Sequence, residues 1–485
     1  MTSLCDYLII GGGSAGAIVA RRLSERTAGR IIVIEAGKPD EGDPAATDLR
    51  RLDEQTPDYD WGFRAAPLAG APPLLKYARA KLLGGCANHN DCAFIRPPPS
   101  DFDEWERLGA NGWNAAAMAP YWQKVADRLV IETAPCHPAS RCFIEAGREL
   151  GLRDVDFSKE VKAGVGLFPL NASGTLRQSS SVAYLHPLSS LPHHLEVWTE
   201  CLALRLLLDD GRATGAETTR GPVLARKAVI LACGAIQTPQ LMMVSGLGPG
   251  SELRAQGITV LADLPHVGRH LRDHVAAPVV WETHEEVSGW EICPFEATMM
   301  LQLEPDAPAP DILFHFGLRV REKYADRARL ATPGPAVKAS PNVTRARSEG
   351  SIRLGGPAMT DQPVIDLNYF SDPSDLALLL RAMLFTRQLG KTRSMQLLCK
   401  REVHPGPSVQ TEADWTSYVR EVCETVYHPC ATAAIGKVVT PDLKVIGVDR
   451  LYVADASVFP SLITVNINAA VMMTAEKAAD LVAAG

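Results

Sequence analysis

Asp6-Tyr-Leu-Ile-Ile-Gly11-Gly12-Gly13-Ser14-Ala15-Gly16 opens the stretch that decides the fold, and Ile31-Ile-Val-Ile-Glu35-Ala36-Gly37 closes it. Tyr7 to Ile10 reads as an apolar strand, Ala15 to Glu25 as a helix, and Ile31 to Ile34 as a second strand. Between strand and helix stands Gly11-x-Gly13-x-x-Gly16. A phosphate must approach the backbone at that turn. A side chain at Gly11 or Gly13 would block it, while Gly16 lets the helix pack close to the strand. Ser14 and Ala15 lie where the helix N-terminus offers free N–H groups to a pyrophosphate. Glu35 stands 19 residues beyond Gly16, where a carboxylate accepts ribose hydroxyls, and Ala36 follows it. Strand, glycines, helix, strand and acid in register make a dinucleotide-binding unit.

Around this unit, 485 residues are too many for one small core and imply two domains or one elaborate one. Composition is that of an ordinary globular protein, 46% apolar and 22% charged. A net charge of −7 argues against nucleic acid or an anionic membrane as main partner. No apolar run reaches membrane-spanning length. The first strand begins by about Asp6, so no signal peptide is expected and the cytoplasm is the default. Eleven cysteines without a Cys-x-x-Cys pair suggest reduced thiols. Cys, His and carboxylates do not cluster at metal-ligand spacing, so no metal is expected. His193-His194 reads as a solvated pair.

The fold class implied is α/β, with a Rossmann-like domain assembled from discontinuous segments. Ala228 to Gly234 and Leu451 to Ala454 are buried-type strands that should return to the first sheet, the second ending at Asp455. Asn468 to Ala483 has helical composition. From about 275 to 425, strand-like pieces (Val279 to Glu282, Ile312 to Phe316, Ser351 to Leu354) alternate with proline-rich loops before a helical Pro373 to Leu389. This predicts an antiparallel substrate domain over 275–425, with 1–274 and 426–485 forming the cofactor domain. Residues 319 to 347, rich in Arg, Lys, Pro and Gly, read as a surface loop, with an active-site lid as the alternative.

Four further segments carry chemistry: Tyr77 to Phe94, with Gly84-Gly85-Cys86 and His89-Asn90; Gly234-Ala-Ile-Gln-Thr-Pro-Gln-Leu-Met-Met-Val-Ser-Gly-Leu-Gly248; Thr425-Val-Tyr-His428-Pro-Cys-Ala-Thr432; and Val453-Ala-Asp455-Ala456-Ser-Val-Phe-Pro with Thr464-Val-Asn466-Ile-Asn468. Together they resemble the glucose–methanol–choline family of flavin oxidoreductases, along nearly the whole chain. The choline-oxidising members look most similar, through the Gly-Gly-Cys-x-x-His-Asn-x-Cys run, Pro341-Asn-Val-Thr and Val426-Tyr-His-Pro.

The resemblance implies FAD, with the adenine half on the N-terminal unit. Gly11, Gly13, Ser14, Ala15, Gly16, Glu35, Ala36, Gly84, Gly85, His89, Asn90, Ala232, Gly234, Asp455, Ala456 and Asn466 are the implied cofactor residues. His89 matches a histidine that some members join covalently to the flavin. His428 and Asn468 map to the catalytic pair, and chemistry agrees: alcohol oxidation needs a base for the hydroxyl proton and a donor for the developing alkoxide. Trp61, Trp290, His315 and Tyr427 match substrate-pocket positions. Two departures stand out. Ala431 replaces a glycine in His-Pro-x-Gly-Thr, and Asp273-His274-Val275-Ala276 lacks the glutamate that would meet a quaternary ammonium. The expected reaction is oxidation of a primary alcohol to an aldehyde by hydride transfer to flavin, with O₂ as acceptor giving H₂O₂. Alternatives are a dehydrogenase using a quinone or protein acceptor, and a flavin lyase on the same scaffold. The partners implied are a small alcohol and an electron acceptor; oligomeric state, a homodimer included, stays open.

Overall fold

The computed structural model describes residues 2–68, 74–320 and 330–485. Ser3–Ile10 forms the first strand, Gly16–Ser24 the helix and Ile31–Ile34 the second strand. Ser3–Ile10 lies between Ile31–Ile34 and Val223–Leu231, all parallel, and Leu195–Trp198 extends the sheet past Ile31–Ile34. The end of Val223–Leu231 also pairs in parallel with Leu451–Val453, while its start pairs antiparallel with Arg212–Thr218. Four continuously apolar strand ends suit a sheet buried on both faces. Register sets Ile34, Ile10, Leu231 and Val453 in one row. The residues just beyond that row (Gly11, Glu35, Ala232 and Asp455) therefore gather at the carboxyl edge of a parallel sheet, the usual ligand crevice of such folds. Asn468–Ala484 packs against Gly16–Ser24 and returns the chain terminus to this domain.

A second, antiparallel sheet of eight strands stands over that edge. Its order is Cys399–His404, Val279–Thr283, Ala336–Val343, Ile312–Gly317, Ala297–Leu301, Gly164–Leu167, with Val275–Ala276 bridging Ala336–Val343 to Glu424–Thr425. Three expectations need adjusting. Gly164–Leu167, assigned by sequence to the cofactor domain, is an edge strand of this second sheet. Ser351–Arg353 leaves it, joining Val364–Asp366, Arg64–Ala66 and Leu75–Lys76 in a separate four-stranded sheet. Within 319–347, residues 321–329 lie outside the described residues, but Ala336–Val343 is a central strand rather than loop. Its run Val337-Lys-Ala-Ser340 alternates apolar with polar side chains, as a strand between a core and a cavity requires. The helix Pro373–Leu389 forms with Asp372 capping its first turn.

Candidate active site

One cavity of about 360 Å³ runs from the glycine turn to the underside of the second sheet. At the first end, Gly11 has φ +99°, and a Cβ there would lie 2.5 Å from Ala232 O. Its constraint is thus the neighbouring strand, not the ligand, contrary to the sequence reading. A Cβ on Gly16 would fall 1.9 Å from Gly11 O, so the close helix–strand packing needs that glycine. Gly13 faces open space, with only Gly85 Cα within 4 Å of an added Cβ, at 3.7 Å. Glu35 is buried, accepting the Gly12 N–H on Oε2 and the Gly37 N–H on Oε1, each at 2.8 Å. Each oxygen keeps a lone pair for a hydroxyl. Burial pushes this carboxyl up to about 7.

Ser14, Ala15, Ala36, Gly85, His89, Asn90, Ala232, Gly234, Asp455, Ala456 and Asn466 all line the cavity. Gly84 does not. It turns the chain at φ +82°, donating its N–H to Gly12 O, and an added Cβ would strike Asn88 and Ser181. Asp455 accepts the Gly234 N–H and the Thr238 hydroxyl, tying two chain-distant segments together.

At the other end His428 projects from the segment after Glu424–Thr425. Asp273 fixes that segment: Oδ1 accepts the His428 N–H at 2.8 Å, and Oδ2 accepts the hydroxyls of Tyr77, Tyr369 and Thr425. Ala431, at φ +73°, holds a left-handed conformation where the family pattern has glycine. His274 is buried, with Nδ1 2.7 Å from His428 Nδ1 and Nε2 at 2.7 and 2.8 Å from the carbonyls of Thr344 and Ile463. Carbonyls only accept, so His274 carries its proton on Nε2 and its Nδ1 is bare. His428 must then donate from Nδ1, leaving its own Nε2 as the free base.

The nearest amide to that nitrogen is Asn466, whose Nδ2 lies 3.4 Å from His428 Nε2 and 3.3 Å from His315 Nε2. The pairing of His428 with Asn468 is corrected here. Asn466 sits in the last turn before the helix and faces the histidines. Asn468 is the first helical residue and lines the same cavity with its Nδ2 unpartnered. His315 is placed by Asn342, whose Nδ2 bonds Leu313 O and His315 Nδ1. All three imidazoles are neutral at pH 7. Burial drives His428 well below its ordinary value, lowers His274, and takes His315 to about 3. Neighbouring His274, His315 and Arg79 depress His428 further.

Trp61 and Tyr427 wall the cavity together with Phe63 and Phe295. Trp290 is absent from the lining: it belongs to the segment between Val279–Thr283 and Ala297–Leu301, and the Arg319 guanidinium lies over its ring at 5.1 Å. The missing carboxylate beside Ala276 also needs correction. Glu424 is the cross-strand partner of Ala276, lines the cavity, and accepts Lys338 Nζ at 2.9 Å. Sequence reasoning passed over Arg79, His274, Lys338 and Glu424. Arg79 and His274 stood inside quoted motifs; Lys338 and Glu424 carried no motif at all. Arg79 donates to Tyr427 O, while its Nε is buried and unpartnered.

A dinucleotide cradle opening onto a buried, neutral histidine pair suits a dinucleotide-dependent oxidoreductase. Residues 5–276 and 346–475 match the N- and C-terminal models of GMC oxidoreductases, and the chain belongs to that family. It is an oxidoreductase acting on alcohol donors, in a family that depends on FAD. Choline oxidase of Arthrobacter globiformis is 36% identical, covering 98% of this chain and 94% of the relative. Oxygen-dependent choline dehydrogenase of Sinorhizobium medicae (strain WSM419) is 33% identical, covering 98% and 95%. Among solved structures, pyridoxine 4-oxidase from Mesorbium loti superposes with a TM-score of 0.90 at 29% identity, covering 98% of each chain.

The residues present fit FAD. Gly13 leaves open room at the turn, Glu35 keeps acceptor capacity, and the buried Nδ2 of Asn468 and Oδ1 of Asn466 stand without partners on residues that line the cavity. Among the described residues no group of His, Cys, Asp and Glu could hold a metal ion.

Proposed function

We propose that this chain oxidises a primary alcohol to its aldehyde, with O₂ reduced to H₂O₂. The observation that carries the reading is the bare Nε2 of His428, exposed by the His274 contact and facing Asn466 inside the cavity. FAD, when bound, supplies the acceptor for the hydride leaving the carbinol carbon. His428 Nε2 takes the hydroxyl proton, and the Asn466 amide holds the oxygen as charge develops on it. Its Nδ1 proton, shared with His274, keeps the ring oriented as the imidazolium forms. Gly13, Ser14, Ala15, Glu35 and Ala36 would hold the adenosine and pyrophosphate, and Gly234, Asp455, Ala456 and Asn468 the remainder. Residues 275–425 supply most of the substrate side. An odd count of eleven cysteines with no Cys-x-x-Cys spacing supports a reducing, cytoplasmic setting.

We also assign His89 as a covalent tether to the flavin. Its side chain is 7% exposed, lines the cavity, and has Nε2 4.0 Å from Asp60 Oδ2. The substrate is assigned as an alcohol with an aromatic or polar body; the relatives include enzymes named for choline and for pyridoxine. Anaerobic mixing with primary alcohols, followed at the oxidised-flavin band, tests the reaction. Bleaching by an alcohol, followed by stoichiometric H₂O₂ on admitting air, is expected. Bleaching without peroxide would assign a dehydrogenase with another acceptor, and no bleaching by any alcohol would defeat the proposal.

A further inference from the structure

The wall of the cavity beneath the second sheet carries an ion pair that catalysis does not use. Along Ala336–Val343 alternate residues share a face, so Lys338, Ser340 and Asn342 point the same way. Asn342 holds His315, and Ser340 stands directly opposite His315 in the ladder. Lys338 stands opposite Gly317, where any Cβ would come within 3.3 Å of the lysine stem. From the neighbouring edge, Glu424 Oε1 accepts both Lys338 Nζ at 2.9 Å and Ser340 Oγ at 3.1 Å. The two charged side chains are only 12% and 25% exposed. Lys338, Ser340 and Glu424 all line the cavity that holds His428. Withdrawing such a pair from water costs about as much as the pairing returns, so stability alone does not account for it. The ammonium has three donors and spends one on Glu424.

We propose that the Lys338–Glu424 pair reads the far end of the alcohol, selecting substrates that present a hydrogen-bond acceptor beside a donor, such as a hydroxymethyl-hydroxypyridine, over quaternary ammonium alcohols. This rests on the alcohol-oxidation reading. An acceptor oxygen on the ring meets Lys338, and an N–H or O–H beside it meets Glu424. Trp61, Tyr427 and Phe295 supply walls for the flat ring. A trimethylammonium group offers neither an N–H to Glu424 nor an acceptor to Lys338.

The test compares kcat/KM of the purified holoenzyme for three probes: a hydroxymethyl-hydroxypyridine, benzyl alcohol and choline. The hydroxypyridine is expected to lead by at least about tenfold, the size of a charge-assisted hydrogen bond. In Lys338→Met, Glu424→Gln and the double variant, its lead over benzyl alcohol should fall about 10- to 100-fold, mainly through KM. The double variant removes both charges together, so it keeps the test alive if a lone buried charge unfolds either single variant. Choline leading in the wild type, or ratios unchanged in the double variant, would overturn the inference while alcohol oxidation stands. Flavin reduction by none of the three probes would overturn this inference, and only failure with every primary alcohol tried would defeat the oxidation reading as well.

Discussion

His274 and His428 meet nitrogen to nitrogen, Nδ1 to Nδ1 at 2.7 Å, with their rings nearly perpendicular at 85°. Two backbone carbonyls hold the far side of His274, so the proton between the rings belongs to His428. His428 Nε2 is thereby left without a proton by a side chain that does not itself line the cavity.

His428→Ala should lower kcat by roughly 10²–10⁴ with FAD still bound. His274→Ala, which removes only the orienting acceptor, should cost less and should move the acid limb of the kcat profile, because the tautomer and environment of His428 change. Anaerobic flavin reduction at wild-type rate in His428→Ala would rule out its role as base.

The two asparagines separate by readout. Asn466→Ala should reduce kcat by roughly 10²–10³, the usual range for losing one donor to a developing oxyanion. Asn468→Ala should weaken FAD retention instead, since its amide lines the cavity at the helix start. Stopped-flow reduction rates and equilibrium flavin release check both; a larger kcat loss at Asn468 would restore the pairing first read from sequence.

His315 offers a clean pH test. Its folded pKa of about 3 lies below the ordinary 6.5, so below pH 6.5 the unfolded chain binds a proton that the folded one refuses. Its contribution is complete above 6.5 and is lost as pH falls. Relative to His315→Gln, the wild type should lose about 1–2 kcal/mol of stability between pH 6.5 and 5. Denaturant melts that shift in parallel for both proteins over this range would contradict a neutral, buried His315.

A covalent tether through His89 predicts a yellow acid-precipitated pellet and a protein mass increased by that of FAD. His89→Ala should release its flavin to the supernatant. A colourless wild-type pellet would leave His89 as a packing residue beside Asp60.

The dinucleotide unit was legible because its parts are contiguous. Residues 6 to 37 contain strand, turn, helix, strand and acid, and Gly11 and Gly16 answer constraints set within or one strand away from that span. His428 was legible through its motif, and the terminal helix through its composition. What could not be read was which side chains meet across strands distant in sequence. Asn466 and Asn468 carry the same amide two positions apart, and only the point where the helix begins decides which one faces His428. Glu424 stands beside Ala276 because two strands nearly 150 residues apart pair in one register, and a slip of one residue would turn it to the other face. Lys338 fell within a stretch whose composition reads as loop, yet the ladder to Ile312–Gly317 makes it strand. Trp290 had the right chemistry for a pocket wall, but its ring meets Arg319 outside the cavity lining. Local residues dictate local turns; register and packing between distant segments, which no short span encodes, decided the substrate end of the site.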